Sequence, residues 1–305
     1  MQDVIERASD ALGQVLQGKQ DRIRLALCCL LGGGHLLIED LPGMGKTTLC
    51  RALAGLFGLQ YKRVQFTSDL LPADITGCSV YDTESGRFVF HAGPVFSQLV
   101  MADEINRASP RTQSALLEAM EERQVSIEGE TRTLPEPFFV IATQNPVSMS
   151  GTYPLPESQL DRFHMCLEVG YPDERAERAL LAEGVRPDAE QIEQYFDPGE
   201  LKALQKKISG LASSEALLDY VQRLVAATRS DPRITLGLSP RGALSVMHAA
   251  RTWAFMHDRD HVLPEDVQAV FPAVSRHRLV FERETAVADR DARIHELLGS
   301  VAVYA

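Results

Sequence analysis

The sequence is short of several things, and each shortage closes off a class of protein. Its five cysteines (Cys28, Cys29, Cys50, Cys78, Cys166) are an odd number without a C-x-x-C pair. That excludes a disulfide framework and a zinc knuckle, and it suits reduced, mostly buried thiols in a cytoplasmic protein. No apolar run approaches the roughly 20 residues of a membrane span. The opening stretch, Met1-Gln2-Asp3-Val4-Ile5-Glu6-Arg7, is mixed in charge and lacks the apolar core of a secretion signal. Positive charge is scarce too: 31 Lys and Arg stand against 42 Asp and Glu, a formal net charge of -11. Such a balance argues against a surface built to hold nucleic acid. What is present is an ordinary globular composition, 45% hydrophobic and 24% charged over 305 residues. That length suffices for one large or two ordinary domains with real cores.

The most informative stretch is Glu39-Asp40-Leu41-Pro42-Gly43-Met44-Gly45-Lys46-Thr47-Thr48. The apolar run His35-Leu36-Leu37-Ile38 before it suits a buried strand, and Leu49 to Phe57 after it has helical spacing. A strand, a tight glycine turn and a helix make a phosphate cradle, because backbone N–H groups and the helix dipole converge on one concavity. Gly43, Met44, Gly45, Lys46, Thr47 and Thr48 would form it. The two glycines allow close backbone approach, Lys46 would reach the β- and γ-phosphates of a bound triphosphate, and Thr47 would offer its hydroxyl to Mg²⁺. The full pattern asks for glycine five residues before Gly45, where this chain has Asp40. An acid there must turn its side chain away from a triphosphate.

Leu99-Val100-Met101-Ala102-Asp103-Glu104 reads as a buried strand with carboxylates at its carboxyl tip, the edge where open α/β sheets bind ligands. Asp103 would support Mg²⁺, and Glu104 would polarise an attacking water. Phe138-Phe139-Val140-Ile141-Ala142 is a further strand and delivers Thr143-Gln144-Asn145-Pro146 at its tip, where Asn145 could bond the attacking water or the γ-phosphate. Strands alternate with helices to about residue 170, so a doubly wound parallel sheet is expected. Cys78–Tyr81 with Arg87–Phe90, and Val125–Ile127 with Thr131–Leu134, read as two hairpins around glycine turns. Leu71 to Gly77 reads as a loop. Residues 184 to 199 read as a connector, and helices are expected at 199–208, 213–230, 240–257 and 264–273. The expected division is an α/β nucleotide-binding domain over 1–184 and a connector with a smaller helical lid over 185–305.

The order of these features resembles the AAA+ ATPases, and most closely their MoxR branch. The resemblance is carried by the cradle at Lys46, Ala102-Asp103-Glu104-Ile105-Asn106-Arg107-Ala108, Ala142-Thr143-Gln144-Asn145-Pro146, Leu160-Asp161-Arg162-Phe163 and Leu238-Ser239-Pro240-Arg241-Gly242. It implies that Lys46 and Thr47 bind phosphates and Mg²⁺, with Asp103 supporting the metal. It makes Glu104 the catalytic base, Asn145 the first sensor, Arg162 an arginine finger offered to a neighbouring subunit, and Arg241 the second sensor on the lid. It further implies a homo-oligomeric ring, typically a hexamer. The implied work is chaperone-like maturation of protein complexes, often with a partner carrying a von Willebrand factor A domain. The two hairpins resemble insertions that work on partners in this clade. Related clades include nucleic-acid motors and the motor subunits of metal chelatases. The acidic hairpin tips Asp82-Thr83-Glu84-Ser85-Gly86 and Glu128-Gly129-Glu130 are unlike phosphate-tracking tips, while Arg87, Arg123 and Arg132 lie near them.

Overall fold

In the computed structural model, residues 2–145, 151–183, 192–282 and 287–303 are described. Two amphipathic helices come first, α1 (Gln2–Val15) and α2 (Gln20–Leu31), and β1 (Leu36–Glu39) follows, all four of its residues buried. The chain continues through α3 (Lys46–Leu56), β2 (Tyr61–Gln65), α4 (Pro72–Thr76), β3 (Gly77–Asp82) and β4 (Arg87–Ala92). Next come β5 (Leu99–Asp103), α5 (Pro110–Glu122), β6 (Gln124–Ile127), β7 (Glu130–Thr133), β8 (Phe139–Gln144), α6 (Glu157–Leu160), β9 (Met165–Leu167) and α7 (Glu174–Glu183). The remainder is α8 (Pro198–Ser209), α9 (Glu215–Ser230), β10 (Ile234–Leu236), α10 (Pro240–Met256), α11 (Pro264–Ser275), β11 (Val280–Phe281) and α12 (Val287–Ser300).

Five strands form one parallel sheet in the order β2-β5-β8-β1-β9. Its central strands are continuous apolar runs because helices cover both faces. Successive side chains of β1 enter different cores: Leu36 and Ile38 pack with α1, α2 and α3, whereas Leu37 packs with α5. The first of these cores runs unbroken into the carboxyl-terminal helices, through Leu201, Tyr220, Val246 and Phe271. The expected parallel sheet and helical lid are present, and both hairpins form, as β3–β4 and β6–β7. Two short features were not expected. Residues 72–76 form a one-turn helix with Pro72 at its first position instead of a loop. Among the lid helices, β10 and β11 make a small antiparallel pair. The boundary expected at 184/185 lies outside the described residues, as does Pro146.

Parallel strands give the sheet two unlike edges. The carboxyl edge carries the ends of β1, β5 and β8. The amino edge carries their starts, and α5 returns to it: the carbonyl of Met120, in its last turns, lies 3.3 Å from Nε2 of His35, just before β1.

Candidate functional site

The carboxyl edge holds the acids and the cradle together. Gly43 and Gly45 have φ of 84° and 89°, the left-handed region that glycine enters without strain, and Gly45 caps α3. A side chain at Gly43 would touch nothing within 4 Å, so the backbone there faces open space. The first N–H groups of α3 lack partners within the helix and point the same way. Lys46 is half-buried, and its Nζ donates to the Asp40 carbonyl at 2.7 Å. Burial pushes its pKa down, while the carboxylates of Asp40, Asp103 and Glu104 pull it up. Asp40 turns its carboxylate away as expected: Oδ1 accepts from the N–H of Leu41 at 2.8 Å and Oδ2 from that of Gly170 at 2.6 Å.

Asp103 ends β5 and is buried. Its Oδ1 accepts from Thr143 Oγ1 at 2.6 Å, and its Oδ2 accepts from Arg63 Nε and Nη2 at 3.1 and 2.5 Å. Glu104 follows with φ 55° and ψ 49°, a conformation that costs a non-glycine residue energy unless its surroundings hold it. They do: its N–H donates to Thr143 Oγ1 at 2.8 Å, and its Oε2 accepts from Gln65 Nε2 at 3.0 Å and Arg107 Nη1 at 2.9 Å. Asn145 follows β8 at the same edge, two residues beyond Thr143.

Arg63, Gln65 and Thr143 were not singled out from sequence. Alternation of Arg63 and Gln65 around the buried Val64 on the edge strand β2 was the available signal. It acquires meaning only once β2 is known to pair with β5, which aligns Gln65 with Asp103.

Arg162 and Arg241 are at the other edge. Arg162 lies between α6 and β9, just ahead of the start of β9, where Met165 is in register with Leu36. Arg241 is on the first turn of α10, whose N-cap Ser239 accepts from the N–H of Gly242 at 2.9 Å. Both arginines pair with Glu121 near the end of α5: Arg162 Nε is 2.9 Å from Oε2, and Arg241 Nη1 is 3.0 Å from Oε1. Asp161, next to Arg162, is bound differently. It accepts from the buried Arg278 at 2.6 Å and from the Ser239 hydroxyl at 2.9 Å. The structure thus brings Lys46, Asp103, Glu104 and Asn145 to one edge of the sheet and the two arginines to the other.

Comparison with known proteins addresses the family and the fold. The family model described as the ATPase family associated with various cellular activities (AAA) matches residues 35–165, and the AAA lid domain model matches residues 226–297. The chain is 41% identical to chaperone MoxR1 of Mycobacterium tuberculosis, covering 98% of this chain and 82% of the relative. It is 35% identical to protein MoxR of Paracoccus denitrificans, covering 89% and 87%. A crystal structure from Cytophaga hutchinsonii, described as that of a candidate ATPase, superposes with a TM-score of 0.87 at 36% identity, covering 99% of this chain and 95% of the other. No helix among the described residues is long and apolar enough to cross a membrane. A phosphate cradle, a strand-tip acid pair and a helical lid, together with relatives of this identity and coverage, lead to one conclusion: the chain belongs to the MoxR family of AAA+ ATPases.

Proposed function

We propose that the chain is a Mg²⁺-dependent ATPase that works as a homo-oligomeric ring, of hexamer size by resemblance, and spends hydrolysis on remodelling a protein complex. The observation that carries the protein-directed part is the β3–β4 hairpin. Its Val80, Tyr81, Phe88 and Val89 are exposed, Phe88 by 72%, and the Tyr81 and Phe88 rings meet edge to face at 5.4 Å. An exposed apolar cluster of this kind suits a protein surface. Arg132 of the second hairpin packs over the Phe90 ring of the first, 4.0 Å from its centroid, so the two hairpins touch. The name chaperone carried by the relative MoxR1 supports the same reading. A partner with a von Willebrand factor A domain is the client adaptor we favour, in the cytoplasm and away from nucleic acid.

The donor set fits a magnesium ion. The hydroxyl of Thr47 is a hard oxygen ligand of the kind Mg²⁺ takes alongside water and phosphate, and the buried carboxylate of Asp103, which accepts from Thr143 and Arg63, would support the ion through bound water. The chemistry the metal supplies when bound is neutralisation of phosphoryl charge. Gly43, Met44, Gly45, Lys46, Thr47 and Thr48 bind the phosphates, Lys46 carrying the charge. Thr143 fixes Asp103 and Glu104 relative to each other. Glu104 takes a proton from the water that attacks the γ-phosphorus, and Asn145 orients that water. The products are ADP and phosphate.

Arg162 and Arg241 lie at the sheet edge opposite their own cradle. Both therefore serve the nucleotide of a neighbouring copy, Arg162 as finger and Arg241 as second sensor. Residues 1–184 hold the cradle, and 185–305 supply the lid and Arg241.

The test is Glu104→Gln. It should keep Mg·ATP binding and lose turnover by about 10²–10⁴, the usual contribution of a general base. The trapped protein should be ring-sized and retain a protein partner in ATP but not in ADP. Unchanged turnover would remove Glu104 from the role of base. Turnover stimulated by DNA in the unsubstituted protein would favour the nucleic-acid motor instead.

A further inference from the structure

Arg162 and Arg241 share a single anionic partner among the described residues. That anion is Glu121, which gives one carboxylate oxygen to Arg162 and the other to Arg241. The three residues come from α5, the turn after α6, and the start of α10, so the contact joins the sheet layer to the lid. We propose that Glu121 is a positioning residue: it holds Arg162 and Arg241 as a two-armed clamp for the terminal phosphate of a nucleoside triphosphate bound by the neighbouring copy, and it yields them to that phosphate at turnover. This rests on the reading that the arginines act between copies.

Two neighbouring sets of contacts separate the roles. Asp161 and Ser239 fix the backbone beside each arginine, through the Ser239–Asp161 bond and the buried Arg278. Gln159 adds a bond from α6 to Ser114 on α5 at 3.1 Å. The segments are thus already clipped together without Glu121. What Glu121 adds is the placement of the side-chain tips. Its partners are partly open to water, Arg162 at 27% and Arg241 at 48% exposure, with Glu121 itself at 34%. Ion pairs this exposed are weak and exchange readily. A phosphate carries more charge and accepts paired N–H donors from guanidinium, so it outcompetes one carboxylate. A permanent structural bridge would be built as the Arg278 site is built, with the guanidinium buried. Arg side chains lose much rotamer freedom when held, and a carboxylate that pre-orders two of them removes that loss from the reacting step.

The experiment uses mixed rings. Arg162→Ala subunits keep an intact cradle, and Lys46→Ala subunits keep intact arginines, so their mixture should recover turnover. Glu121→Ala is then added to one partner at a time. In the Lys46→Ala subunit, which supplies the arginines, it should lower the recovered kcat by about tenfold with KM for ATP unchanged. In the Arg162→Ala subunit, which supplies the cradle, it should not lower the recovery. Glu121→Gln retains one acceptor oxygen and should give a smaller loss with the same placement dependence. It also serves where Glu121→Ala lowers the melting temperature. Equal losses in both placements, a change confined to KM, or no loss in the arginine-supplying subunit would each overturn the proposal. No recovery in the parent mixture would overturn the between-copy reading and this proposal with it.

Discussion

The two edges of the central sheet are built by different means. At the carboxyl edge, each functional group is fixed by the fold itself. Asp103 is buried at a strand end, Thr143 locks it to Glu104 from the adjacent strand, and the glycine turn is held by β1 and α3. At the amino edge, Arg162 projects from the turn after α6 and Arg241 from the first turn of α10, and both are held at their tips by one half-open carboxylate. Groups that must never move are set by backbone and burial. Groups that must reach another molecule are set by contacts they can give up. On the reading proposed above, a site divided this way is completed when the carboxyl edge of one copy meets the amino edge of another.

Removing the exchangeable partner should have the largest kinetic effect. Arg162→Ala should lower kcat by about 10³–10⁵, the range for an arginine that neutralises charge on a transferring phosphoryl group, with ATP still bound. A steady-state assay beside a nucleotide-binding titration would check it. Near-normal turnover would reduce the Arg162–Glu121 pair to a surface ion pair.

The neighbouring buried pair should respond in stability. Arg278 is 5% exposed and donates to the Asp161 carboxylate and to the carbonyls of Asp161, Phe163 and His164. Arg278→Ala removes the guanidinium partner of Asp161 and a donor to these three carbonyls, and should cost about 3–5 kcal/mol of unfolding free energy in a denaturant titration. Glu121→Ala should cost no more than about 1 kcal/mol. Similar costs for the two would remove the distinction between fixed and exchangeable contacts.

A smaller effect should come from pH. His35 Nδ1 accepts from the N–H of Val140 at 3.0 Å, so Nε2 carries the proton toward the Met120 carbonyl. A second proton would face that N–H in a buried site. Burial accordingly lowers the His35 pKa from 6.5 to about 4. The folded value is the lower one, so the unfolded chain binds the proton first. Stability is then fully present above pH 6.5 and falls as pH drops toward 4, by up to about 1.4 kcal/mol per unit. Thermal unfolding between pH 7 and 4 should show this slope, reduced in His35→Gln. Because the contact ties α5 to the start of β1, and the buried His164 and His277 add slopes of the same sign, a profile no shallower in His35→Gln than in the unsubstituted protein would detach the amino edge from His35.

Most of the carboxyl edge was legible in the sequence. Buried parallel strands read as apolar runs: Asp103 and Glu104 end one, Asn145 stands just past the tip of another, and Lys46 follows a third across the glycine turn. The expected helices at 199–208, 240–257 and 264–273 lie within a residue or two of α8, α10 and α11. The one-turn α4 and the strands β10 and β11 were missed because two to five residues carry no period. Arg63, Gln65 and Thr143 escaped because their role depends on which strands are neighbours, which follows from sheet order. Glu121 escaped for a stronger reason. It is one of several acids on α5, and only the return of α5 to the amino edge, with α10 docked beside it, gives it two arginines.

The division of the site between copies is tested most directly by titrating Lys46→Ala subunits into Arg162→Ala subunits at constant total concentration, with subunit exchange verified. Each protein alone should be nearly inactive, the first for want of bound nucleotide and the second for want of its finger. Turnover should rise to a maximum at intermediate fractions, where Arg162 of one subunit completes the cradle of the next, and vanish at both ends. Turnover that stays flat across the titration, in rings shown to be mixed, would contradict the account.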